Sequence, residues 1–337
     1  AAGTAAGGLC AAEQAGAEDA ALGLLQRRSR QQLAERGRAP TPAPEATTEA
    51  WPYTDKVPPT GTLPLAWLHV PKCGSSFVGA LARVPGACHG IPEDLEITNA
   101  NFGDDNIAGF WTAYPPKKYC PGAFSLLGGH NGFEDLPYES VWKGHSVTIL
   151  RQPEQRILSA FHNTKHSWPV HELGNPPTDV LEFAHVVKGC LVRMLTRSGT
   201  SYEVPEQNNL GQIGPHWGGP CGGPDPPTPQ ELVLAKKRLR EAFIFVGIQE
   251  EWQLSMCLFH AIFGGACNSA EFLDSRHEVH PPTIRYDRAR LEGFRDEYDH
   301  ELFTEAKQIF RESLRAYNLS VAACQPCFKQ ANITYPE

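Results

Sequence analysis

Three short stretches of the chain combine residue types suited to chemistry on an anionic donor. The first is Pro71-Lys-Cys-Gly-Ser-Ser-Phe77. A loop that opens a helix presents free backbone N–H groups, and the helix dipole favours an anion there. Lys72 adds a full positive charge, Gly74 allows close backbone approach, and Ser75 and Ser76 add hydroxyl donors. Charge-assisted hydrogen bonds to such groups contribute on the order of 1.5–3 kcal/mol each. The loop is not a Walker A sequence, because Gly-x4-Gly-Lys-Ser/Thr is absent. In isolation it reads first as a polar helix start with serine caps. The second stretch is Arg151-Gln-Pro-Glu-Gln-Arg-Ile-Leu-Ser159. Pro153 fits the first position of a helix. Arg151 stands where a guanidinium can fork onto a phosphate. Ser159 lies two turns in and shares a helix face with Arg156. The plain alternative makes both arginines surface or ion-pair residues and Ser159 a filler. The third stretch, Gly128-Gly129-His130, offers an imidazole suited to take a proton near neutral pH. Its two glycines let a ligand approach closely. Glu134 is the next choice of base, and a histidine hydrogen-bonded in a loop is the plain alternative.

These groups need strands to carry them. Leu65–Val70, Ala123–Leu127, Ser146–Leu150 and Phe243–Gly247 are short apolar runs. Helical patterns follow over Phe77–Val84, from Pro153 through Phe161, and over Glu250–Phe263, with a last charged helix at about Asp299–Tyr317. Uniformly apolar strands alternating with helices predict a parallel sheet covered on both faces. Open sheets of that kind bind ligands beyond the carboxyl ends of their strands. All three stretches fall at such ends and suit a doubly phosphorylated nucleotide donor.

In these residues the chain resembles the sulfotransferases that use 3′-phosphoadenosine 5′-phosphosulfate (PAPS). Leu68-His-Val-Pro-Lys-Cys-Gly-Ser-Ser-Phe77 is similar to that family's loop for the 5′-phosphosulfate. Thr148-Ile-Leu-Arg-Gln-Pro-Glu-Gln-Arg-Ile-Leu-Ser-Ala-Phe161 resembles its element for the 3′-phosphate, a strand ending in Arg and then Ser eight residues on. Ala242–Trp252 is similar to a later strand and helix. The likeness covers about residues 62–320 and is nearest to the membrane-bound Golgi carbohydrate sulfotransferases. The family often has Thr near Ser75 or Ser76 and Asp where Gln152 stands. The resemblance implies an α/β, three-layer, P-loop-like fold with a central, mainly parallel sheet flanked by helices. It implies in-line sulfuryl transfer to a hydroxyl, by family analogy that of a carbohydrate. The cofactor-binding residues would be Lys72, Cys73, Gly74, Ser75, Ser76, Phe77, Arg151 and Ser159. Lys72 would neutralise the leaving oxygens and His130 would be the base, with no metal expected.

The chain has 337 residues, a net charge of −8 and ten cysteines. The acidic balance argues against nucleic acid as the main partner. The cysteines and the sequons Asn318-Leu-Ser320 and Asn332-Ile-Thr334 favour an oxidising, luminal setting. A Golgi type II ectodomain, with its anchor outside this sequence, is the matching expectation. Residues 1–60 read as a partly disordered stem and linker with one amphipathic helix at Ala17–Arg36, residues 61–328 as the catalytic domain, and 329–337 as a tail. The Gly- and Pro-rich stretch 199–230 reads as a lid for the acceptor, with Trp217 able to stack on a sugar. Ser275–Arg288 could close over the nucleotide through Arg276, His280 or Arg285, and His277 with His280 reads as loop. Lys165 and His166 could touch an anionic acceptor or be solvated surface. Cys324-x-x-Cys327 reads as a structural disulfide near the C-terminus, Cys257 and Cys267 as another candidate pair, and Cys73 as packing. Two rival functions stay open: a P-loop-type kinase for a small molecule or sugar, and a non-catalytic nucleotide- or glycan-binding protein.

Overall fold

The computed structural model describes residues 50–103, 106–126, 129–163, 165–169, 173–198, 219–275 and 286–334. Strands β1 (Leu65–Trp67), β2 (Phe124–Leu126), β3 (Ser146–Leu150) and β4 (Phe243–Ile248) form one sheet in the order β2-β1-β3-β4. Every neighbouring pair is parallel, with Ala66 opposite Ser146 and Leu150 opposite Ile248. All five residues of β3 are buried, so both sheet faces are covered, as its continuous apolar and β-branched run requires. The run Leu65–Val70 leaves the ladder after Trp67, although the Leu68 amide still donates to the Val147 carbonyl at 3.0 Å.

Between β1 and β2 lie α1 (Val78–Leu81), α2 (Asn99–Phe102), α3 (Asn106–Ala113) and α4 (Pro116–Tyr119). Between β3 and β4 lie α5 (Pro153–His162), α6 (Val180–Val187), α7 (Cys190–Thr196) and α8 (Pro229–Ala242). After β4 come α9 (Trp252–Phe263), α10 (Glu297–Ala316) and α11 (Val321–Gln330). The single helix expected over 77–84 is instead a 3₁₀ turn at Ser75–Phe77 followed by one α turn. Helices α9 and α10 pack directly on β4. The Phe77 ring anchors the loop–helix corner in the core, 5.5 Å from Phe245 and 5.1 Å from Phe259.

Eight cysteines form four disulfides: Cys88–Cys120, Cys190–Cys221, Cys257–Cys324 and Cys267–Cys327. Cys257 and Cys267 therefore do not pair with each other. Each reaches one cysteine of the Cys324-x-x-Cys327 pair, so that pair makes two bridges that bind α11 to α9 and the loop after it. Among the described residues no helix is long and apolar enough to cross a membrane.

The compact unit begins at Glu49 rather than at 61. Trp51 is 4% exposed, the Lys56 ammonium donates to the Ala261 carbonyl at 2.5 Å, and the Gly265 amide donates to the Tyr53 carbonyl at 3.1 Å. At the other end α11 runs through Gln330, and Ala331 is buried, so the first residues assigned to a tail belong to the fold. Residues 1–49, with the helix expected at Ala17–Arg36, lie outside the described residues.

Candidate active site at the carboxyl ends of the strands

The loop after β1 turns on two left-handed residues, Lys72 at φ 65° and Gly74 at φ 78°. Gly74 has no room for a side chain, because a Cβ there would come within 2.8 Å of the Trp252 ring and 3.2 Å of Ile149. The loop residues then divide by what they touch. Cys73 is buried, and its thiol is pushed up to about 12 by burial. Phe77 has its ring in the core and its amide bonded to the Gly74 carbonyl at 3.0 Å. Both serve packing. The Ser76 hydroxyl donates to Ser275 Oγ and accepts from the Ser275 amide, each at 3.0 Å, so it ties the loop to residue 275. Ser75 Oγ stands 3.1 Å from Nε2 of His69. Lys72, Gly74 and Ser75 are the loop members best placed for an anion.

The strand end of β3 meets that loop. The Arg151 guanidinium donates to the Lys72 carbonyl at 3.4 Å and lies over the Tyr286 ring, 5.3 Å from its centroid. Helix α5 starts as the sequence predicts, with Pro153 in its first turn and Gln152 Oε1 accepting from the Gln155 amide at 2.8 Å. Glu250, from the end of β4, accepts from the Gln152 amide at 2.9 Å. Ser159 is on α5 and only 3% exposed. Arg156 is engaged in the helical packing: it donates to the Val187 carbonyl at 2.9 Å and sits 4.0 Å from Asp299. Of the plain alternatives for the arginines, the ion-pair one holds for Arg156.

His130 stands beyond β2 and beside the same loop. Its Nδ1 donates to the His69 carbonyl at 2.6 Å. A backbone carbonyl can only accept, so Nδ1 carries a proton, and in the neutral ring the basic lone pair is on Nε2. The ring lies 4.4 Å from His69 and 5.1 Å from His166. Close backbone contacts seat it, since a Cβ on Gly219 would strike the His130 carbonyl at 1.7 Å. Next to it, Oδ1 of buried Asn131 has no hydrogen-bond partner. Glu134, the second choice of base, is instead ion-paired to Arg238 of α8 at 2.5 Å and 48% exposed. Lys165 caps the end of α5 by donating to the Phe161 carbonyl at 3.1 Å.

The structure thus brings Lys72, Gly74, Ser75, Arg151 and His130 together and gives Cys73, Ser76 and Phe77 structural tasks. Gly128, Trp217, Arg276, His277, His280 and Arg285, with most of the proposed lid, lie outside the described residues. Sequence reasoning gave no role to His69 or Trp252. The only signal for His69 was its place three residues before Lys72, at the end of an apolar run. Compared with known proteins, the chain matches no family model, no curated protein and no solved structure at a significant level.

Proposed function

We propose that this protein transfers a sulfuryl group from 3′-phosphoadenosine 5′-phosphosulfate to a hydroxyl, using a P-loop-like nucleotide site. One observation carries this: Arg151, the residue after β3, touches the Lys72 carbonyl at 3.4 Å, so two cationic stretches far apart in sequence meet at adjacent strand tips. That proximity supports a single site gripping both ends of one adenosine donor. The Lys72 ammonium, the loop amides and the Ser75 hydroxyl would hold the 5′-phosphosulfate. Arg151 and Ser159 would take the 3′-phosphate.

The acceptor oxygen attacks sulfur in line with the bond to the 5′-phosphate. That S–O bond breaks, and its electron pair leaves on the phosphate oxygen of adenosine 3′,5′-bisphosphate. Lys72 offsets the growing charge there. The acceptor proton goes to Nε2 of His130, the nitrogen left basic by the Nδ1 bond to the His69 carbonyl. Positioning and electrostatic stabilisation then supply the rate, as in phosphoryl transfer. A carbohydrate acceptor rests on the family resemblance. Four disulfides and two exposed sequon asparagines, Asn318 and Asn332, support a luminal setting in the secretory pathway, with the Golgi suggested by the resemblance alone.

Thermal stabilisation separates this function from a kinase. Adenosine 3′,5′-bisphosphate is expected to raise stability by about 2.7 kcal/mol at a hundredfold excess over its dissociation constant, and ATP with magnesium to do little. The opposite pattern would turn the assignment to a kinase. With labelled PAPS and a panel of acceptors, Lys72→Ala and Arg151→Ala should both abolish transfer. His130→Ala should remove turnover and keep bisphosphate binding; loss of both would refute the base assignment.

A further inference from the structure

We propose that His69 is a positioning residue that sets the donor loop and the base together, its ring aligning the Ser75 hydroxyl and its carbonyl orienting His130. The role in turnover rests on the sulfuryl-transfer assignment, while the link to Ser75 stands on geometry. Residue 69 is pinned on both sides. Before it, the Leu68 amide donates to Val147 and the Leu68 carbonyl accepts from the Thr148 hydroxyl at 2.9 Å. After it, the Val70 carbonyl accepts from the Cys73 amide at 3.2 Å, closing the loop turn. The ring is 4% exposed and stacks on the buried Trp67 indole at 4.1 Å, which fixes its rotamer. From there Nε2 reaches Ser75 Oγ at 3.1 Å.

The direction of that bond follows from what the loop must hold. A serine hydroxyl has one proton and can also accept. An anion in the loop needs that proton, because the oxygen lone pairs would repel it. His69 must then donate from Nε2, and Ser75 is left with its proton for the ligand. A loop anion therefore selects a His69 ring that carries a proton on Nε2. Through its carbonyl the same residue holds the base on the neighbouring strand end, so a shift at position 69 moves both.

The test is a double-mutant cycle on ligand affinity, with adenosine 3′,5′-bisphosphate and with pyrophosphate as a bare diphosphate probe. His69→Phe keeps the stacking and removes the donor, and is expected to weaken binding on the order of tenfold, about 1.4 kcal/mol. Ser75→Ala should lose a similar factor. The double variant should lose no more than either single one, and His69→Gln, whose amide can reach as Nε2 does, should restore most of the affinity. Should His69→Phe not fold, His69→Met takes its place in the cycle. Additive losses, or a His69→Gln variant as weak as His69→Phe, overturn the proposal. Wild-type binding of pyrophosphate without the bisphosphate would overturn the sulfuryl assignment alone, since the cycle is still read on pyrophosphate. Binding of neither probe would overturn both.

Discussion

Cys73 sits inside the anion loop and yet has no chemistry to do. Its side chain is buried, and burial raises its pKa to about 12, outweighing the pull of Arg156 and Arg151. The thiolate is the reactive form, so this sulfur is inert in the folded protein. In a Cys10→Ser background, a disulfide reagent such as DTNB at pH 8 is expected to find no reactive thiol in the native protein and one after unfolding in guanidinium. Rapid native labelling would mean that the loop opens or that Cys73 serves the site. The sequence already carried the packing role for Cys73, because sulfuryl transfer needs no thiol nucleophile. It also carried the Lys72–Gly74 turn and Arg151, whose side-chain types and spacing are themselves the signal. It could not carry the division between Ser75 and Ser76. Both are hydroxyls in the same loop, and only the fold turns one toward His69 and the other toward Ser275. The pairing of Glu134 was hidden for the same reason: its partner Arg238 is more than a hundred positions away in sequence.

Helix α5 carries Ser159 and follows directly on Arg151, so whatever fixes α5 fixes half the candidate donor site. It is held by a buried charge network with α7 and α10. Asp299 accepts from the amides of Leu191 and Val192 at 3.0 and 3.1 Å, and Asp296 accepts from the Gly189 amide at 2.8 Å while capping α10. Arg193 gathers the carbonyls of Lys188, Cys221 and Asp225 at 2.8, 3.0 and 2.9 Å, beside the Cys190–Cys221 disulfide. Burial, and then the charge of Asp299, push Asp296 up to about 8. A carboxyl whose folded pKa lies above its unfolded value of about 3.9 stabilises the fold fully below that value, and the contribution is lost as pH rises through the folded pKa. Thermal stability should therefore decline between about pH 4 and 8 through this group. Asp296→Asn should remove that part of the slope and equal or exceed the wild type at pH 8. Parallel pH–stability curves for the two proteins would show that Asp296 stays ionised. The sequence placed α5 and the charged helix to within a few residues, from Pro153 and from the apolar spacing. The network was hidden, because Arg156 and Asp299 look like ordinary exposed charges until three distant helices are packed together.

Helix α9 joins the site to the ends of the compact unit. Its first residue, Trp252, has its ring against Gly74 and donates from Nε1 to the Glu271 carbonyl at 2.9 Å. Farther along, it carries Cys257 and Ala261, which cluster with Trp51, Cys324, Cys327 and Phe328. The Pro-rich composition of 40–64 hid the start of this unit: proline marks non-helical chain, and extended chain can still pack. The aromatic pair Trp51 and Tyr53, 5.0 Å apart, was the signal that this stretch docks. A chain starting at Glu49 keeps this stretch whole and serves as the reference. One starting at Gly61 loses the buried Trp51 indole and the Lys56–Ala261 bond. Removing a buried Trp side chain costs about 3–5 kcal/mol. At about 2–4 °C per kcal/mol for a domain approaching this size, the melting temperature should fall on the order of 10 °C. Because the lost contacts sit at the end of α9 away from Gly74, the shorter chain should still bind the nucleotide while folded. Calorimetry on the two truncations measures the first effect and bisphosphate titration below the lower melting point the second. Equal melting temperatures would return residues 50–60 to the linker. A normal melt with lost binding would mean that α9 transmits the N-terminal contacts to the Gly74 loop as strain.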